Sequence, residues 1–454
     1  MAQPSVQTSH GTVRGTTTDG ITRFQGIPYA RAARFEPPSP VSFDFDGCPT
    51  LPQRPFPGRL GEILAPVPGL PSEEYEPILR LNIWAPEGEG LPVLFWLHGG
   101  ALERGSPSQA GTAGTAFARS GVLVVAPAYR LGVEGWASFA PNLGLLDAAA
   151  ALRWVQAEIG AFGGDPARIT VMGESAGGVL AACLLSREEG ALIARAVVMS
   201  APLEVEARGG ATAGVAKRLG IKETKEAFMG TSVTEVLDAR AADVAARGDS
   251  VITGAPIFRA VLDATLPVSP HMILPTLSTP IMIGTTSEEY KLFLSPAELA
   301  SVGRLRLYGA AWWLGALAAV RALWAHCTSY GEVFGQLLSD VGMRAPADRL
   351  ARARPETTWV YEFAHAGPLG AAHATELPYV FDTLGSPDGR AAGGEGAPQA
   401  LASEMHAAWV RFVKGQAPWE AYGEGRRVRV FGGEGEGWAR TERVRRAEVL
   451  DALP

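Results

Sequence analysis

Val171-Met172-Gly173-Glu174-Ser175-Ala176-Gly177-Gly178 sets a serine in the frame G-x-S-x-G, at the meeting point of two differently patterned stretches. Upstream, Arg168-Ile169-Thr170-Val171-Met172 has the β-branched and long apolar residues of a buried strand. Downstream, residues 176–185 are small and apolar, as in a helix packed on a sheet. A strand that turns straight into a helix forces its corner residue into a strained backbone, and Gly173 and Gly177 remove the Cβ atoms that would collide there. The serine hydroxyl is then held out at a helix N-terminus, where the helix dipole favours a developing anion. Glycine-rich turns produce the five-residue frame by chance. The strand before it and the helix after it are what predict a nucleophile at Ser175.

A second apolar strand, Leu91-Pro92-Val93-Leu94-Phe95-Trp96-Leu97, ends at His98-Gly99-Gly100-Ala101. Alone this is an ordinary glycine turn after a strand. With Ser175 downstream it predicts an oxyanion hole, whose donors are assigned to the backbone N–H groups of Gly100, Ala101 and Ala176. His98 belongs to the loop and is read as structural. Val122-Leu123-Val124-Val125-Ala126 is a further strand, residues 145–159 have apolar side chains at helical spacing, and Gly163-Gly164-Asp165-Pro166 reads as a turn into the nucleophile strand. Strands alternating with helices predict an α/β fold: a mostly parallel, twisted central sheet with helices on both faces.

The chain has 454 residues, with 54 glycines and 34 prolines spread along it as punctuation and nothing resembling a linker, so one domain over 1–454 is expected. Its net charge of −7, with basic residues scattered, argues against a nucleic-acid partner. The N-terminus lacks an apolar leader segment, and the longest apolar run, 310–320, stops at Arg321, too short to span a bilayer. A cytoplasmic protein without membrane insertion is the expectation. Cys48, Cys183 and Cys327 are odd in number and far apart, which gives neither a disulfide framework nor a metal spacing.

Taken together, these residues resemble the type-B carboxylesterases, the branch of the α/β-hydrolase superfamily that includes the cholinesterases. The resemblance runs along nearly the whole chain. It rests on Phe24-Gln25-Gly26-Ile27-Pro28-Tyr29-Ala30, Leu81-Asn82-Ile83-Trp84-Ala85-Pro86, the His98-Gly99-Gly100 loop, Tyr129-Arg130-Leu131-Gly132, Asn142-Leu143-Gly144-Leu145-Leu146-Asp147, Ala161-Phe162-Gly163-Gly164-Asp165-Pro166 and the serine elbow. It implies a compact member of the family, with helical excursions near 205–250 and 296–350 around an active-site gorge. Departures are visible as well. Ala101 stands where the family loop usually has a third glycine. Tyr75-Glu76-Pro77-Ile78-Leu79-Arg80 replaces the family's Ser-Glu-Asp-Cys, which leaves Cys48 without its disulfide partner and Arg130 without its expected acidic partner.

In this superfamily the catalytic acid and then the histidine follow the serine in the chain. The strand Pro280-Ile281-Met282-Ile283-Gly284 leads into Thr285-Thr286-Ser287-Glu288-Glu289-Tyr290, and the resemblance places the acid on Glu289 rather than Glu288. Of seven histidines, His10, His98 and His271 fall too early, His326 and His406 lie in helical patterns, and His365 ends a strand at 358–363. His373, in Ala371-Ala372-His373-Ala374-Thr375-Glu376-Leu377-Pro378-Tyr379, matches the family's histidine loop. The roles implied are Ser175 as nucleophile, His373 as base and Glu289 as the group that orients it, working on small ester substrates through an acyl-enzyme with no metal or organic cofactor. Glu174 either faces the gorge and tunes the histidine or is a buried elbow residue; both readings stand.

The function expected is hydrolysis of short- to medium-chain carboxylic esters. A long-chain lipase is the alternative among enzymes, hinted at only by the tryptophan-rich run 310–320, and a non-catalytic binding protein is the alternative outside them. The resemblance also associates this kind of glycine-rich loop, with alanine at its third position, with acceptance of bulky and tertiary alcohols. Trp312, Trp313 and Phe334 are candidate pocket residues.

Overall fold

The computed structural model describes residues 4–41, 78–205, 212–247, 258–433 and 437–454; Cys48 and residues 75–77 of the segment replacing the family's acidic pair lie outside them. Strands β1 (Ser5–Thr8) and β2 (Gly11–Arg14) form a hairpin of their own. The main sheet is built from β3 (Thr16–Thr18), β4 (Ile21–Arg31), β5 (Ile78–Pro86), β6 (Leu91–Leu97), β7 (Leu123–Pro127), β8 (Gly164–Glu174), β9 (Arg195–Met199), β10 (Ile281–Thr286), β11 (Thr358–Phe363), β12 (Arg427–Phe431) and β13 (Ala439–Arg443). Their spatial order is β13-β12-β11-β10-β9-β8-β6-β7-β5-β4-β3. The run from β12 to β7 is parallel throughout, and antiparallel strands close both edges. The mostly parallel sheet expected from the sequence is what forms.

Continuous apolar strands need cover on both faces, because alternate side chains point opposite ways. In β6, Val93, Phe95 and Leu97 join Leu145 and Leu152 of helix α1 (Leu143–Glu158) and Leu180 and Leu184 of α2 (Ala176–Leu185) in one core. Leu94 and Trp96 of the same strand, with Met172 of β8, turn to the other face, where Met405, Trp409 and Phe412 of a long C-terminal helix (Gln399–Val413) cover them. A third core gathers Leu307 and Ala311 of α3 (Arg304–Trp313), Val320 and Leu323 of the next helix, and Val333, Phe334 and Leu337 of α4 (Tyr330–Ser339).

One sequence signal misled. Gly163-Gly164-Asp165-Pro166 does not stop short of the nucleophile strand: β8 begins at Gly164, which pairs with Leu91 before the register shifts and resumes at Val93 with Ile169. The register then fixes the active end of the sheet. Leu97 pairs with Gly173, Glu174 and Gly284 with Met199, and Thr286 with Phe363. Five neighbouring strands therefore end side by side, and the loops leaving them converge at the C-terminal edge, where ligands of parallel sheets are bound.

Candidate active site

Ser175 sits at φ 53° and ψ −121°, a left-handed strained corner between β8 and α2. Its N–H donates to the Met199 carbonyl at 2.8 Å, which ties the corner to β9. A Cβ on Gly177 would land on the Leu97 and His98 carbonyl oxygens, and one on Gly173 on the Gly177 carbonyl, so no larger residue fits either position. The side chain of Ser175 is left half-buried, beside the loop that follows β6: a Cβ on Gly99 would lie 3.4 Å from that of Ser175.

That loop turns sharply. Gly100 has φ 116°, and Ala101 and Leu102 both have φ 58°. The Gly100 carbonyl accepts from the N–H groups of Glu103 and Arg104, both at 3.1 Å. A left-handed alanine costs about 1–2 kcal/mol. Burial of Leu102 in the main core and the 2.7 Å bond from Gly132 N–H to its carbonyl hold the turn against that cost. His98 is buried, stacked on Tyr129 at 4.5 Å between centroids, and its carbonyl accepts from the Tyr129 hydroxyl at 2.7 Å. Burial pushes its imidazole down to about 4, so it is neutral at physiological pH. The structural reading of His98 fits these surroundings.

Glu289 and His373 meet in the interior. His373 Nδ1–H donates to Glu289 Oε2 at 2.5 Å, and both residues are under 5% exposed (4% for His373, 2% for Glu289). The other carboxylate oxygen, Oε1, accepts from the Ser200 hydroxyl and from the Thr286 N–H, both at 2.7 Å. Glu288 points elsewhere, to Lys291 at 2.5 Å. It also clamps the histidine loop, because its N–H donates to the Ala371 carbonyl at 3.0 Å and its Oε2 accepts the Ala371 N–H at 3.1 Å. Phe293 lies against the imidazole, with centroids 4.9 Å apart.

Glu174 adds a second carboxyl. Its Oε1 lies 3.0 Å from His373 Nε2, off the line of a hydrogen bond, and the side chain is wholly enclosed. Burial raises the Glu174 carboxyl, the His373 charge lowers it and the Glu289 charge raises it again, for a result near 7. For His373, burial lowers the imidazole. The charges of Glu174 and Glu289 and the hydrogen bond to Glu289 outweigh that and push it up to about 9. Glu376, also buried, is held well above the usual carboxylate range by burial and then by the Glu174 and Glu289 charges.

The remaining histidines are placed apart from this cluster. His406 bonds the Val380 carbonyl and Ser120 inside the core, His326 pairs with Glu448, and His271 meets Ser269. Trp312 and Trp313 stand 74% and 80% exposed on α3, while Phe334 is buried in the third core. Arg130 finds a partner that the altered segment before Leu81 does not provide. Its Nε and Nη2 donate to Asp147 Oδ2 and Oδ1, each at 2.7 Å, in a buried bidentate pair. Sequence reading missed Ser200, Thr286, Phe293 and Glu376. Only Glu376, three residues after the histidine, carried a chemical signal. Among the described residues, no group of three or more His, Cys, Asp or Glu is arranged to hold a metal ion.

A sequence profile of the carboxylesterase family matches residues 2–303. The chain is 31% identical to the para-nitrobenzyl esterase of Bacillus subtilis (strain 168) over 93% of its length and 94% of that protein's. It is 30% identical to the fumonisin B1 esterase of Sphingopyxis macrogoltabida, over 95% of this chain and 87% of that one. Among solved structures, a PNB esterase superposes with a TM-score of 0.86 at 29% identity, covering 100% of this chain and 99% of the other. A Geobacillus stearothermophilus carboxylesterase superposes with 0.85 at 31% identity, covering 99% and 100%. The sheet order, the serine elbow and these likenesses agree: the chain belongs to the carboxylesterase family, as a carboxylic ester hydrolase of the α/β-hydrolase fold.

Proposed function

We propose that Ser175, His373 and Glu289 form the catalytic triad, and that the N–H groups of Gly100, Ala101 and Ala176 form the oxyanion hole. The observation that carries this is the buried 2.5 Å contact between His373 Nδ1 and Glu289 Oε2, with the strained Ser175 corner two strands along the sheet from the strand that leads to Glu289 and its neighbour Glu174 3.0 Å from the imidazole. With Nδ1–H committed to Glu289, the lone pair of the neutral ring lies on Nε2, the nitrogen that accepts a proton. Ser175 Oγ attacks the ester carbonyl as its proton passes to Nε2, and the carbonyl oxygen becomes an alkoxide facing the backbone donors. Each such donor is worth about 2.7–4 kcal/mol of barrier. Collapse of the tetrahedral intermediate breaks the bond to the alcohol, which leaves with the Nε2 proton. Water then attacks the acyl-enzyme by the same path, releasing the acid and restoring Ser175.

Glu174, across the ring from Glu289, stabilises the imidazolium that forms after attack, which supports the tuning role over a purely structural one. The substrates proposed are short- to medium-chain esters of small molecules, in line with the para-nitrobenzyl esterase likeness. A cytoplasmic setting is part of the same proposal. No helix among the described residues is long and apolar enough to cross a membrane. The test is hydrolysis of p-nitrophenyl esters from acetate to palmitate by wild type and Ser175→Ala. Turnover peaking at short or medium chains and abolished in the variant is the expected result. A peak at the longest chains would favour a lipase, and equal inertness of both proteins would overturn the triad.

A further inference from the structure

Between Glu298 and Glu332 the sequence has no acidic residue, yet it has Arg304, Arg306 and Arg321 and three of the chain's 11 tryptophans, in a protein whose net charge is −7. Helix α3, at the start of this stretch, is apolar on two sides. Leu307 and Ala311 face inward and are fully buried in the third core. Leu305 is 91% exposed, Tyr308 39%, Trp312 74% and Trp313 80%, and Leu317 on the following helix adds a residue that is 45% exposed.

At about 100° per residue, Tyr308, Trp312, Leu305 and Trp313 span an outward arc of about 140°, and Arg304 and Arg306 fall just beyond its two borders. The Arg304 guanidinium lies 5.9 Å from the Tyr308 ring centroid, and that of Arg306 lies 5.6 Å from the Phe334 centroid. The inward face satisfies core packing without the outward one. Soluble proteins rarely leave a contiguous patch of large apolar side chains in water unless something covers it.

The arrangement has the chemistry of a lipid–water boundary. Tryptophan and tyrosine favour the headgroup level, and arginines flanking an apolar face lay their stems along it while their guanidinium groups reach phosphate. We propose that α3 is a peripheral docking helix that lies flat on an anionic lipid surface. Leu305, Tyr308, Trp312 and Trp313 enter the headgroup boundary, and Arg304 and Arg306 pair with lipid phosphates. The local excess of positive charge on an otherwise acidic protein selects that surface and orients the molecule on it. This goes beyond ester hydrolysis and does not depend on it, since binding is measured without substrate.

The experiment is flotation of the full-length protein with phosphatidylcholine vesicles, with and without about a third of phosphatidylglycerol, at low and raised salt. Wild type should float with the anionic vesicles and be released by salt. Trp312→Ser/Trp313→Ser should stay unbound. Arg304→Gln/Arg306→Gln should bind about 30-fold more weakly, at about fivefold per arginine. Both variants should retain the wild-type far-UV ellipticity and thermal midpoint, which shows that they are folded. Failure of wild type to float, or flotation of both variants at the wild-type level, would overturn the proposal. So would a wild-type dimer in sedimentation that the tryptophan variant dissolves, because the face would then belong to a second copy.

Discussion

Glu174 Oε1 and Glu289 Oε2 flank the His373 imidazole, 3.0 Å from Nε2 and 2.5 Å from Nδ1, so the ring lies between two buried carboxyl groups. That sandwich sets the proton affinity of the proposed base. Only a neutral imidazole accepts the serine proton, so activity is lost as pH falls through the pKa of His373.

With His373 pushed up to about 9, the acid limb of kcat/KM should lie on the alkaline side of an ordinary imidazole. Glu174→Gln removes the negative charge that most strongly favours the imidazolium and should move that limb toward about 6.5. The linkage to stability has the same origin. An imidazole raised on folding contributes stability that is full below about 6.5 and is lost as pH climbs through about 9. A pH series of kcat/KM and thermal midpoint on both proteins measures this. An unmoved acid limb in Glu174→Gln would remove Glu174 from the role.

Replacing the proposed nucleophile and acid should have unequal effects. Ser175→Ala should lower kcat by about a million-fold. Glu289→Gln keeps the shape but misdirects the tautomer and should cost about 10,000-fold. Ser200→Ala takes one of two donors from Glu289 Oε1, so a smaller loss, confined to kcat, is expected. Steady-state kinetics with p-nitrophenyl acetate separate the three. Equal losses in all of them would point to misfolding instead.

Ala101 has a methyl group in a left-handed turn, two residues after the Gly99 that lies against the serine. Ala101→Gly should relieve about 1–2 kcal/mol of backbone strain, partly offset by the greater freedom of glycine in the unfolded chain, for a net gain under about 1.5 kcal/mol. If Ala101 lines the proposed oxyanion hole, the change also removes a methyl group from the ester's path. Hydrolysis of tert-butyl acetate relative to ethyl acetate, measured in both proteins, tests whether the wild-type loop already admits tertiary alcohols. No turnover of the tert-butyl ester by wild type would end that reading.

The Arg130–Asp147 pair is buried and bidentate, so removing one partner strands a charge. Asp147→Ala should destabilise the protein by about 3–5 kcal/mol, read as a lower urea midpoint. The paired change to Arg130→Met and Asp147→Leu should recover much of that loss. Failure to recover would mean that the pair also fixes the loop that reaches Glu36, whose carbonyl Arg130 Nη1 bonds at 2.7 Å.

The residues that announced the site were those whose backbone or order constrains it. Gly173 and Gly177 mark the elbow because nothing larger fits, and helix 176–185 followed directly from the small apolar run. Glu289 was separated from Glu288 by resemblance, and the structure shows the physical difference: one side chain turns inward to His373, the other outward to Lys291. Arg130's partner was not legible, because Asp147 lies a helix away and comes into reach only when α1 packs. Ser200 was not legible either. A serine at a strand end has no local pattern that says which neighbouring strand it will meet. The exposure of Trp312 and Trp313 was hidden because a run apolar on all sides does not reveal which side faces the core.

The two hydrogen bonds that Glu289 Oε1 receives come from different strand ends, Ser200 after β9 and Thr286 in β10. The orientation of the carboxylate therefore reports the alignment of two neighbouring strands. A slip between them too small to expose the core would rotate the proposed acid, release the imidazole tautomer and, on the proposed mechanism, silence the enzyme. In a urea series, esterase activity should thus fade before far-UV ellipticity does, which makes catalysis the most sensitive gauge of order at the centre of the sheet.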